Sequence, residues 1–115
     1  MEEEIKLMSI NINRLNTAIE RKRTFSKLEK LKLDIIYLQE VHIKKQHSKE
    51  LDHPKIGKLY TSLPQQSKRR VALYIKETIN AKQIFMDEEG RVLIVEIMMN
   101  YKQILFVAIY ALNNN

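Results

Sequence analysis

Lys6-Leu7-Met8-Ser9-Ile10-Asn11-Ile12-Asn13 and, about one helix later, Asp34-Ile35-Ile36-Tyr37-Leu38-Gln39-Glu40-Val41-His42 decide how this chain is read. Each stretch is an apolar strand that ends in polar side chains able to hold a metal. Asn11 and Glu40 therefore fall where two neighbouring strands leave a sheet, the place where open α/β sheets put their chemistry. A third apolar strand, Ile104 to Tyr110, ends on a phenol.

Between the first two strands the spacing predicts a helix from about Thr17 to Leu31, capped by Asn13 or Asn16. Ile19, Phe25, Leu28 and Leu31 fall on or near one face of it. Strand, helix, strand is a βαβ unit, which favours parallel pairing. Both flanking strands read as buried. Downstream, a polar stretch with a short helix near Gln46 to Leu51 leads to strands at Lys58 to Ser62 and Arg70 to Ile75. Ala81 to Met86, Arg91 to Met99 and Gln103 to Tyr110 then read as an antiparallel meander. Leu93, Val95, Ile97 and Met99 make one face of the middle strand, and the other face is half apolar. Ile104 to Ile109 is apolar on both faces, the mark of a central strand covered on each side.

The chain has 115 residues, enough for one domain, and 44% hydrophobic residues is ordinary for a globular protein. It has no cysteine, so disulfides and thiolate metal sites are excluded and an intracellular, reducing setting is expected, nucleus or cytoplasm. No apolar run approaches the roughly 18 residues of a membrane span. The net charge is +6, from 20 Lys and Arg against 14 Asp and Glu. The basic residues gather at Arg21-Lys22-Arg23, Lys44-Lys45 and Lys68-Arg69-Arg70, which makes a polyanion such as DNA the expected partner. Solvated faces and loops account for the same clusters without a partner. Only 2 glycines occur where ordinary usage predicts roughly eight, which is odd for a chain so rich in strands and turns.

The ordered blocks Ser9 to Asn13 with Leu15-Asn16, Asp34 to Glu40 with His42, Lys68 to Ile75, Asp87-Glu88-Glu89-Gly90-Arg91 and Ile109-Tyr110-Ala111 resemble the endonuclease/exonuclease/phosphatase superfamily. Within it they are most similar to the N-terminal endonuclease of long interspersed element (non-LTR) retrotransposon polyproteins. The resemblance implies an α/β/β/α four-layer sandwich with mixed sheets, and magnesium-dependent hydrolysis of a DNA phosphodiester bond, with manganese as a substitute metal. It assigns Glu40 and Asn11 to the metal, and Asn11, Glu40 and Tyr110 to catalysis at the scissile phosphate. Lys68, Arg69, Arg70 and His42 then face DNA. The residue types suit the chemistry, since magnesium prefers one or two carboxylates plus water.

The same resemblance places a water-orienting Asp-x-Asn loop and a terminal Asp-His pair after Tyr110, and the chain ends at Asn115. Residues 1–115 are therefore expected to be a partial domain, truncated after the Tyr110 strand and inactive alone. Its partner would be the missing C-terminal half or a self-associating copy. Arg14, Arg70, Val41 and Leu112 stand where the family usually has glycine, glycine, threonine and proline, a pattern that suggests a decaying copy of a mobile element. Read singly, Asn11 closes a strand, Glu40 is an exposed acid and Tyr110 is a core aromatic with its hydroxyl at the rim. The alternatives to an endonuclease are a catalytically dead nucleic-acid-binding module, a nonfunctional remnant, and a phosphatase on the same fold. A Glu40, His42 and His47 metal site is a weaker reading, because no i, i+4 histidine pair supports it.

Overall fold

The structure, a computed structural model, describes residues 4–12, 15, 17–43, 49–61, 69–87 and 92–109. It is a mixed α/β protein built mostly of strands. The chain runs β1 (Leu7–Asn11), α1 (Ala18–Leu31), β2 (Ile35–His42), β3 (Lys58–Thr61), β4 (Arg69–Ile75), β5 (Asn80–Met86), β6 (Val92–Met99) and β7 (Lys102–Ile109). A first, mixed sheet has the order β1-β2-β4-β3, and a second, antiparallel sheet has the order β5-β6-β7. β1 and β2 pair in parallel from Leu7↔Ile35 to Asn11↔Gln39, as a βαβ unit requires. No described helix is long and apolar enough to cross a membrane.

Strict alternation along β2 and β4 creates two cores on opposite sides of the first sheet. Ile36, Leu38, Ala72 and Tyr74 face α1, where they meet Leu15, Phe25 and Leu28. Ile35, Tyr37, Val71, Leu73 and Ile75 face the second sheet and meet Leu93, Val95, Ile97 and Ala108. The order is thus helix, sheet, sheet. The Tyr37 and Phe106 rings pack edge-on at 5.8 Å across the two sheets, and the Tyr60 hydroxyl donates to the Ala81 carbonyl at 3.3 Å. β2 therefore lies over β7 and β3 over β5.

Thr17 caps α1. Its hydroxyl oxygen accepts from the Glu20 backbone N–H at 3.1 Å and its hydroxyl hydrogen is donated to the Glu20 carboxylate at 2.8 Å. The cap is neither of the asparagines expected; Asn13 and Asn16 lie outside the described residues. Only Phe25 and Leu28 of the expected apolar stripe are buried. Ile19 is 67% exposed and Leu31 is also exposed; the loop at 49–57 meets the helix at Phe25 and Glu29. The rings of His53 and Phe25 stack at 4.8 Å, and the Tyr74 hydroxyl donates to the Leu51 carbonyl.

Two strands expected in the interior are edges. β7 pairs only with β6 among the described residues, and its outer face is open. β1 is the edge of the first sheet and exposes Leu7, Ser9 and Asn11. β1 is an edge because β2 is its sole partner among the described residues. The second sheet has three strands against four, so nothing described lies beneath β1 or on the far side of β7.

The shortage of glycine reappears in the backbone. Lys32, Glu40, Asn100 and Tyr101 take positive φ values of 48°, 52°, 50° and 62°. Asn100 and Tyr101 form the two-residue turn between β6 and β7, whose mirror-type geometry asks for positive φ at both positions. Gly57 is used where it cannot be replaced: at φ 143°, a Cβ there would sit 2.7 Å from the Ile75 carbonyl oxygen.

Candidate active site

The site expectation rests on one end of the first sheet. β1 reaches that end at Asn11, paired with Gln39, and the Ile12 N–H extends the ladder to the Gln39 carbonyl at 3.0 Å. Glu40 is one residue past Asn11's partner, so alternation alone predicts that it lies on the opposite face, beside Leu38 in the helix core. It does not. β2 and β4 pair as Leu38↔Ala72 and then Val41↔Arg70, so Gln39 and Glu40 together oppose Val71 alone.

This is a β-bulge, and the left-handed φ of 52° at Glu40 makes it. Leu38 and Val41 both face α1. Gln39 lies on the side of Ser9 and Asn11, and Glu40 after it breaks the alternation of the strand. A left-handed conformation costs a non-glycine residue on the order of 1–2 kcal/mol. Strain of this kind is held at sites where a side chain must be aimed.

Beneath the pair, the Gln39 amide donates from Nε2 to Ser9 Oγ at 2.9 Å, clamping β1 to β2. Gln39 and Ser9 were part of the quoted strands, but their mutual contact was not foreseen. The signal was present: buried positions run 36, 38, 41, 43, so their parity changes between Leu38 and Val41. A change of parity inside one strand is what a bulge writes into a sequence.

Of the residues expected to face DNA, Arg69 and Arg70 belong to β4, and their backbones pair with His42 and Val41 of β2. The fold thus gathers Asn11, Glu40, His42, Arg69 and Arg70 at one end of the first sheet. Lys68, Tyr110 and His47 lie outside the described residues. Phe106, four residues before Tyr110, packs on Tyr37, three residues before Glu40. Burial pushes the Tyr37 phenol above its ordinary pKa.

No cluster of three or more His, Asp or Glu side chains suited to a metal occurs among the described residues. An all-protein metal cage has no donors here. One half-buried carboxylate beside a solvent-exposed amide at a sheet end is a different donor set. It fits magnesium, which keeps several waters and takes few protein ligands. No protein-family model matches the chain.

Proposed function

We propose that this chain carries the metal-binding, phosphate-facing side of a magnesium-dependent DNA endonuclease of the endonuclease/exonuclease/phosphatase type, in which the helix and the two sheets form three layers of an α/β/β/α sandwich. The reading extends to nicking of target DNA by a non-LTR retrotransposon. The observation that supports it best is the bulge at Glu40. There the backbone takes a left-handed φ and breaks the alternation that would put Glu40 beside Leu38 in the helix core.

In this reading Glu40 holds the metal and the Asn11 side chain shares the metal or the scissile phosphate. Tyr110 donates a hydrogen bond to that phosphate. His42, Arg69 and Arg70, with Lys68, hold the DNA backbone by charge. A bound magnesium ion neutralises the negative charge that develops on the phosphate during attack. The test is titration of the chain with manganese, followed by NMR. Broadening should centre on Asn11, Glu40 and their sequence neighbours, and should vanish in Glu40→Gln. Broadening elsewhere, or unchanged in that variant, removes Glu40 from the metal site.

A second reading, nucleic-acid binding without cleavage, is favoured by the +6 charge. Binding that weakens steeply with salt, with no nicking in magnesium, marks it.

A further inference from the structure

We infer that the outward face of α1 is a docking surface for the backbone of a DNA duplex, separate from the sheet end that holds Asn11 and Glu40. Lys22, Arg23, Lys27 and Lys30 recur at the three- and four-residue spacing that stacks side chains on one side of a helix. All four are exposed, and so are Ile19 and Ser26 in the same row. Phe25 and Leu28, on the opposite side, are buried in the helix core. The rise of an α-helix spreads the four cations over about 12 Å, roughly three phosphate steps of one DNA strand.

The row holds no acid. Glu20 is engaged by the Thr17 hydroxyl at 2.8 Å and Glu29 by His53, on the two flanks of the row. Arg21 also lies outside it, donating from Nη1 to the Leu15 carbonyl at 3.1 Å. None of the four cations is in an ion pair among the described residues. A helix face that serves only solvation alternates its signs, with Glu placed to meet Lys one turn on. Here Arg23 and Lys27 meet at i, i+4 and Lys27 and Lys30 at i, i+3, so like charges repel along the helix. A row of phosphates relieves that repulsion and sheds its own counterions in doing so.

The rest of the helix narrows the occupant to a duplex. A helix that lies on a membrane buries its apolar face in lipid, and the apolar face of α1 is already packed in the core. Single strands are held on aromatic rings against which bases stack. Phe25 is the one aromatic residue of α1, and it is buried. Duplex DNA asks only for cations along its phosphates. Because β1 and β2 are parallel, α1 runs back along the first sheet, away from the end where Asn11 lies. The contact needs no metal and does not rest on Glu40.

The experiment uses the 115-residue chain without metal and a fluorescein-labelled DNA duplex, with anisotropy read across a series of KCl concentrations. Affinity should fall steeply with salt, and amide shifts on binding should centre on Lys22 to Lys30. Lys22→Gln, Arg23→Gln, Lys27→Gln and Lys30→Gln combined should weaken binding by about tenfold or more at low salt and flatten the log–log salt slope by about 3–4, at about 0.9 per phosphate contact. Gln matches Lys and Arg in helix propensity, so circular dichroism should be unchanged. Lys49→Gln, Lys76→Gln, Lys82→Gln and Lys102→Gln combined remove as much charge from other exposed positions and should keep most of the affinity. Equal losses in the two variants, shifts that leave α1 untouched, or equal binding of one strand of the same duplex would overturn the inference. So would binding to phosphatidylserine vesicles in place of the duplex.

Discussion

Leu38 and Val41 stand three residues apart on β2, and both are fully buried against the helix side of the first sheet. An unbroken strand would put them on opposite faces. The extra residue between them sits at the left-handed φ of Glu40, and it carries a local cost. Glu40→Gly should therefore stabilise the chain by roughly 0.5–1 kcal/mol, the left-handed penalty less the entropy of glycine. The same substitution should abolish manganese-induced broadening at Asn11. Urea denaturation and the NMR titration, run on one sample, check both halves; a destabilised variant would show that the bulge is not strained.

Gly57 is expected to resist substitution. Gly57→Ala places a methyl group 2.7 Å from a backbone oxygen of β4, and β4 is held between two cores and cannot retreat. The loss should be about 2–3 kcal/mol, at the upper end of single substitutions. The urea midpoint measures it. Gly57→Ala at wild-type stability would mean that the 54–57 turn is not held where it is seen.

The 49–57 loop is fastened to α1 by His53, whose Nε2 lies 2.5 Å from Glu29 Oε1. That hydrogen bond is the main reason the Glu29 carboxyl titrates below its ordinary value, with Lys55 adding to it. The folded pKa is depressed, so the contribution is full above the ordinary carboxylate pKa and is lost as pH falls through the folded value. Carboxyl-detected NMR should show a low midpoint for Glu29 that moves up in His53→Ala. An unchanged midpoint would assign the shift to another cause.

The isolated 115-residue chain should leave supercoiled plasmid intact in magnesium. No Asp or Glu follows Glu96, and Glu96 is held mid-strand by Gln103 Nε2 at 2.6 Å, on the outer face of the second sheet. A missing positioned base withholds about 10²–10⁴-fold of rate. Nicking that disappears in Glu40→Gln would show that the chain holds a base of its own.

Strand-by-strand, much of this fold was legible. The apolar runs that became β2, β4 and β6 were continuous, and the Leu93, Val95, Ile97 face of β6 was read as it is found. What misled was the equation of apolar with buried. Ile104 to Ile109 is apolar on both faces because of its composition, while burial depends on neighbours that a single strand does not encode. The placement of Asn11 and Glu40 at neighbouring strand ends was legible from spacing alone. The bulge at Glu40 was not, because a left-handed glutamate leaves no mark in residue type. Only the shifted parity of Leu38 and Val41 records it.

β2 and β4 are buried on both faces, and this sets the order in which the molecule comes apart. Amides from Ile35 to Leu38 and from Val71 to Ile75 can meet solvent only after both covering layers have moved. The meander of β5, β6 and β7 is one of those layers and is itself exposed on its far side, so it is expected to open at lower energy than the strands it covers. Deuterium would enter β7 first and β4 last. A protease meeting this chain would find the second sheet long before it found the strands that hold Glu40.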